Sequence, residues 1–401
     1  QNIMIKLAPA ALKADLQVRQ ERVRIAMKEE GYDALLVTSN VNLLYLFGSI
    51  YGGAAYLPAE GEPIFFVRRP QVIEEGNVCP IRKLEDIPAL IQSRGGVLPR
   101  RIMLENDESS YSDIKRQHSI FPNAEYGNAT ALLRCLRMIK TPGEIELFRR
   151  TAAIHGEVYA CIPSVFRPGM TDREFQVEIE HLMRNYGSEG IFRTFGSAME
   201  IHMGNVIVGD NAESPSPYDF AMGGGGTDAL PLGADGSPMK EGMCVMVDMA
   251  GNYSAYISDM TRSYAIGKVP DEARRLHDLS REIQAKVMET AEPGMSCADL
   301  YKRSVEMAEE AGAADKFMGT KQQAKFVGHG IGLQINEMPV LMARSKEILT
   351  PGMVIAFEPK FVLPGIGAVG NENSFLVTES GVEKLTVCSE ELIDLLAVAK
   401  Q

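Results

Sequence analysis

Across its 401 residues the sequence has no Cys-x-x-Cys pair, no low-complexity tract and no run of about 18 or more apolar residues. The six cysteines, Cys79, Cys135, Cys161, Cys244, Cys297 and Cys388, are scattered. That excludes a paired-cysteine metal or redox motif and leaves reduced, structural thiols of a cytoplasmic protein as the expectation. The lack of a long apolar run excludes a membrane-spanning helix. Residues Gln1 to Leu7 lack a charged segment followed by an apolar one, so no signal peptide is expected. Basic residues are in deficit, 41 against 53 acidic ones, for a formal charge of −12. A nucleic acid or an acidic membrane rewards the opposite balance. The glycine run Gly223 to Gly226 is not followed by Gly-Lys-Ser/Thr, so it is not a phosphate loop.

What is present is the composition of a globular protein, 45% apolar and 23% charged, on a chain long enough for two domains or three. Ala14 to Glu30 reads as an amphipathic helix with Leu16, Val23, Ile25 and Met27 among its apolar positions, and Gly31 follows at a C′-like place. Short apolar runs at Ala34–Thr38, Pro63–Val67 and Arg101–Leu104 read as strands. Strands alternating with helices predict an α/β domain, residues 1–137. Thr141-Pro142-Gly143-Glu144 has the form of a capping box with proline at N1, and a second domain, residues 138–401, is expected from just before it.

Within that second domain the chain repeats itself. Pro168-Gly169-Met170-Thr171 and Pro293-Gly294-Met295-Ser296 each precede an apolar-periodic helix, ending near Gly187 and Gly312, and each is itself preceded by another helix. Glu241-Gly242-Met243 and Pro351-Gly352-Met353 each lead into an apolar strand that ends on an acid, Asp248 in one case and Glu358 in the other. Two motifs repeated in the same order predict a duplicated α+β unit.

A second acid follows each strand: Asp259, eleven residues after Asp248, and Glu372, fourteen after Glu358. That spacing suits a turn and a returning strand, so each half presents two carboxylates where the halves meet. A lone acid at a strand end more often caps a turn or pairs at the surface. Paired acids at matched places in two repeats weaken that reading. Four carboxylates cannot all remain ionised at one buried point without a counter-charge, which divalent cations supply. His329, bracketed in Val327-Gly328-His329-Gly330-Ile331-Gly332, can approach the same point because glycines allow close backbone packing. A histidine with carboxylates suits manganese, iron, cobalt or zinc better than magnesium or calcium. Two such ions can ionise a water and polarise a substrate oxygen.

The sequence here resembles the pita-bread metallohydrolases, which include methionine aminopeptidase, aminopeptidase P, prolidase and creatinase. Asn42-Leu43-Leu44-Tyr45-Leu46-Phe47-Gly48 resembles the creatinase/prolidase accessory domain, and Arg137 to Ile145 the entry into the catalytic domain. Val247-Asp248, Ser258-Asp259-Met260-Thr261-Arg262, Gly328 to Leu333, Phe357-Glu358-Pro359 and Asn371-Glu372-Asn373 match the five ligand positions. The resemblance implies an α/β N-terminal domain and a duplicated α+β "pita-bread" catalytic domain. It implies two divalent metal ions, manganese first among the candidates. Asp248 would hold one and His329 with Glu358 the other, bridged by Asp259 and Glu372. Glu358 would also orient or deprotonate the attacking water. A homodimer is the family's usual assembly.

The pattern departs at two places. Where peptidases of this family carry a histidine in a Leu-Pro-His-like run, this chain has Leu232; where they carry a second histidine after the glycine motif, it has Asn336. Leucine cannot hydrogen-bond, and asparagine does not titrate. His202 is the candidate substitute as proton donor or substrate contact, with Leu232, Asn336 and Tyr256 as substrate-binding positions; Tyr256 and Arg262 flank Asp259 as supports. The leading expectation is a metal-dependent Xaa-Pro dipeptidase or aminopeptidase acting on small peptides. A non-peptide hydrolase or lyase, creatinase-like or acting on a sulfonium compound, is the alternative, and a non-catalytic binding protein on the same fold ranks last.

Overall fold

The computed structural model describes residues 5–72, 76–196, 198–218 and 222–400. The chain forms two compact units, one of residues 7–137 with 141–143, the other of the residues before 7, 138–140 and residue 144 onward. No helix among the described residues is long and apolar enough to cross a membrane.

The smaller unit is a mixed six-stranded sheet ordered Val78–Pro80, Ile64–Arg69, Gly52–Pro58, Ala34–Val37, Arg101–Leu104, Glu125–Asn128. Ala34–Val37 lies at its middle, antiparallel to Gly52–Pro58 and parallel to Arg101–Leu104, and is buried at every position. A strand covered on both faces reads as an unbroken apolar run, which is why Ala-Leu-Leu-Val shows no alternation. The first helix, Pro9–Glu29, starts five residues before the apolar periodicity suggests, because Pro9 opens its first turn. Gly31 follows at φ +76°, the left-handed stop expected of it.

The larger unit is built from two similar halves. Thr171 caps helix Asp172–Asn185 and Ser296 caps helix Cys297–Glu310, both 14 residues long. Each is preceded by a 20-residue helix, Pro142–Cys161 and Asp271–Thr290. The first half contributes Thr261–Ala265, Cys244–Met249 and Gly204–Val208 to a sheet whose edge strand, Ile393–Asp394, lies beyond the second half in sequence; the second half has a sheet ordered Glu337–Met342, Phe326–Gly330, Val354–Phe357, Asn373–Thr378, Gly381–Lys384. A hairpin of Lys360–Leu363 with Gly367–Gly370 is inserted in the second half before the returning strand.

Alternation along Cys244–Met249 positions its acid. Val245 and Val247 enter the core with Tyr159, Phe175 and Ile179, while Cys244 and Met246 enter the one with Leu276, Ile283 and Phe357. Asp248 has the parity of Cys244 and Met246, so it faces the second half.

Candidate metal centre

The structure brings Asp248, Asp259, His329, Glu358 and Glu372 into one cluster. Asp248 is the next-to-last residue of its strand, and Glu358 immediately follows Phe357, the last of its own. Asp259 and Glu372 stand just before the returning strands Thr261–Ala265 and Asn373–Thr378. The halves are stitched at these two acids. Thr261 and Glu372 exchange backbone hydrogen bonds of 3.3 and 3.1 Å, and Ser374 Oγ accepts from Asp259 N at 2.9 Å while donating to Asp259 O at 2.8 Å.

His329 lies on Phe326–Gly330, between Val340 on one neighbouring strand and Ala356 on the other. A Cβ on Gly328 would lie 2.4 Å from Ala356 O, and one on Gly330 only 2.0 Å from Met338 O. Glycine is required at both places for the strands to approach. His329 Nδ1 lies 3.0 Å from Gly330 O, so the proton belongs on Nδ1 and the lone pair of Nε2 points at the carboxylates, 3.6 Å from Asp259 Oδ2 and 3.7 Å from Glu358 Oε1.

Among the described residues, two groups have donor atoms converging closely enough for one cation each: Asp259, His329 and Glu372, and Asp248, Glu358 and Glu372. They differ in what already fills them. In the first, Glu372 Oε1 is buried without a hydrogen-bond partner, and the imidazole Nε2 lies within 4.8 Å of a Glu372 oxygen and 3.6 Å from Asp259 Oδ2. An orphaned buried oxygen beside a nitrogen lone pair is the donor set of a divalent ion, so the residues fit one here. In the second, the ammonium of Lys360 lies 3.0 Å from Asp248 Oδ2, 2.7 Å from Glu358 Oε2 and 3.3 Å from Glu372 Oε2.

The electrostatics follow from this crowding. Burial, then Asp248 and Glu358, push the Asp259 carboxyl up to about 7, against the pull of His329 and Lys360. Burial, then Asp259 and Glu358, hold Glu372 well above the usual carboxylate range. Burial works to lower Lys360, but Asp248, Glu358 and Glu372 outweigh it and keep the ammonium protonated. The metal-free cluster therefore retains protons that a cation would displace.

A cavity of about 60 Å³, roughly two water volumes, opens onto Asp248, Asp259, His329 and Glu358. Phe192, Met199, Phe326 and Ile335 give it apolar walls. Of the other residues singled out from sequence, only Asn336 lines it, with its amide clamped to the main chain of Phe195: Oδ1 accepts from Phe195 N at 2.7 Å and Nδ2 donates to Phe195 O at 2.8 Å. The structure places three others elsewhere. His202 is half exposed, 3.7 Å from Glu180, because it precedes the strand Gly204–Val208 on the solvent side. Leu232 is buried beside Gly223, where the glycine run packs backbone on backbone. Tyr256 donates to Glu144 Oε1 at 2.8 Å and packs on Phe148, tying a loop to a helix. Arg262 does support the cluster: its guanidinium donates to Thr261 O, Glu372 O and Asn373 Oδ1.

Lys360 is not among the residues that the sequence pattern singles out, although a signal is there. It stands two residues after Glu358, the same-face spacing of extended chain. The apolar walls gave no signal, because Phe192 and Ile335 lie far apart in loops.

The sequence pattern of metallopeptidase family M24 matches residues 146–379, and that of the creatinase/prolidase N-terminal domain matches residues 19–139. The chain is 26% identical over 389 residues to an Xaa-Pro dipeptidase of Pyrococcus furiosus, spanning 94% of this chain and 100% of that one. Among solved structures, an Xaa-Pro dipeptidase from Bacillus anthracis superposes with a TM-score of 0.78 at 26% identity, covering 94% of this chain and 99% of the other. The prolidase from Pyrococcus horikoshii OT3 gives 0.77 at 22% identity over 94% and 100%, a likeness of fold.

Proposed function

This chain belongs to metallopeptidase family M24, and we propose that it cleaves the bond before proline in dipeptides and short peptides, with manganese as its divalent ion. The observation that carries the reading is the convergence of Asp259, His329 and Glu372 beside Glu358 at an apolar-walled cavity.

When bound, the ion supplies Lewis acidity and a water acidic enough to attack at neutral pH. The chain's own residues do the rest. Glu358 is held through Oε2 by Lys360, leaving Oε1, which faces His329 Nε2, to take the proton of the attacking water and pass it to the leaving nitrogen. Phe192, Ile335 and Met199 offer the pyrrolidine ring an apolar wall and exclude bulk water. The Asn336–Phe195 clamp fixes the loop that carries this wall.

The test is a panel of Xaa-Pro dipeptides, Xaa-Pro tripeptides and matched Xaa-Ala peptides, assayed with manganese-loaded protein and with a Glu358→Gln variant. Proline-selective turnover that needs the metal and collapses in the variant is expected. No turnover of any Xaa-Pro peptide, or turnover only of a small amidine or sulfonium compound, would overturn the reading.

A further inference from the structure

Lys360 occupies the centre of one of the two carboxylate groups, and we propose that its ammonium permanently replaces one metal, so that each chain binds a single divalent ion through Asp259, His329 and Glu372. The inference rests on the metal-dependent reading above and narrows it.

Geometry excludes a shared site. Asp248, Glu358 and Glu372 offer oxygens all within 4.8 Å of one another, and Nζ is bonded to all three. An ion coordinating the same oxygens at about 2.0–2.2 Å would have to stand on the ammonium. Lys360 has no room to withdraw. It is 0% exposed, and its strand Lys360–Leu363 is buried throughout. Its backbone is pressed against Gly370, at φ +144°, where a Cβ would come within 2.9 Å of Lys360 Cα. Ser280 Oγ donates to Pro359 O at 2.5 Å and Gln284 Nε2 to Phe357 O at 3.2 Å, so a helix fixes the turn that aims the lysine inward.

Charge points the same way. The ammonium and one divalent ion bring three positive charges to the four carboxylates, so with the lysine in place a second divalent ion is not needed for near-neutrality. The group without lysine is the one that includes the lone pair of His329, and Glu372, which belongs to both groups, has an oxygen, Oε1, with no hydrogen-bond partner. Asp248 is thereby a lysine-binding residue, and Glu358 divides its oxygens between the lysine and the reaction.

The experiment is elemental analysis and Mn²⁺ titration of the full chain, with electron paramagnetic resonance on the loaded protein. Wild type is expected to bind one Mn²⁺ with an uncoupled six-line spectrum. Asp248→Asn should keep that ion, while Asp259→Asn and His329→Ala lose it. Lys360→Gly, which frees the three oxygens, should take up a second ion and show an exchange-coupled spectrum. Two ions or a coupled spectrum in wild type would overturn the replacement alone, leaving the peptidase reading intact. No bound ion in wild type would overturn both. Loss of the ion in Asp248→Asn as complete as in Asp259→Asn would also overturn it. The wild-type count decides even if Lys360→Gly fails to fold.

Discussion

Thr261 and Glu372 are joined three times: two backbone hydrogen bonds, and a 2.6 Å bond from Thr261 Oγ1 to Glu372 Oε2. The hydroxyl and Lys360 both hold Oε2, which leaves Oε1 as the oxygen available to a cation. Thr261→Val keeps the shape and removes the donor. It should weaken Mn²⁺ binding by about 10–100-fold while leaving the fold intact. Titration of the metal against both proteins checks this, and an unchanged affinity would show that the hydroxyl does not orient the carboxylate.

Gly330 is the position where the smallest change should do the most damage to the imidazole's placement. An added methyl would meet the Met338 carbonyl at 2.0 Å, and that neighbour is backbone, which cannot swing aside. Gly330→Ala should cost about 1–3 kcal/mol and displace His329 from its register. Denaturant melts alongside metal binding measure both effects. A variant with wild-type stability and affinity would contradict the packing described.

Arg262 is 2% exposed, and its fork satisfies four acceptors: Thr261 O, Glu372 O, Asn373 Oδ1 and Ser389 O. Arg262→Met should destabilise the fold by about 3 kcal/mol or more, because buried acceptors lose charged donors. Arg262→Lys should recover only part of that, since an ammonium cannot span the fork. Equal stability of the lysine variant and wild type, by chemical denaturation, would show that the charge alone matters.

His155 supplies a pH dependence that can be read on the metal-free protein. It is fully buried with Nδ1 against Ser258 Oγ at 2.8 Å, and burial lowers its pKa from 6.5 to about 3. Below pH 6.5 the unfolded chain binds a proton that the folded one refuses, so this residue's contribution to stability is lost as pH falls toward 3. The slope is about 1.4 kcal/mol per pH unit. His155→Asn cannot take that proton. It should be less stable at pH 7 yet lose stability more gently between pH 6 and 4, roughly by that slope. Denaturation curves of the two metal-free proteins at stepped pH would refute the assignment if they ran parallel.

Much of the fold and the cluster was legible because duplication leaves marks in one dimension. Thr171 and Ser296, Asp248 and Glu358 sit at matched places in two copies, and glycines around His329 announce close backbone approach. The residues missed are those whose role depends on what faces them. Lys360 and Glu358 share a face only if the chain stays extended through Pro359, and His202, a candidate by residue type, lies half exposed beside Glu180 and outside the cavity lining. Tyr256 is adjacent to the ligand segment in sequence, yet its hydroxyl turns away to Glu144.

Lys360 also bears on the order of events when the protein is made. A trio of carboxylates packed together ordinarily resists closure until a cation arrives from solution, which couples folding to the supply of that cation. Here the neutralising charge is part of the polypeptide, two residues from one of the acids it serves. The two halves can close around Asp248, Glu358 and Glu372 as soon as they are synthesised, and the ion can be acquired afterwards by a chain that is already folded.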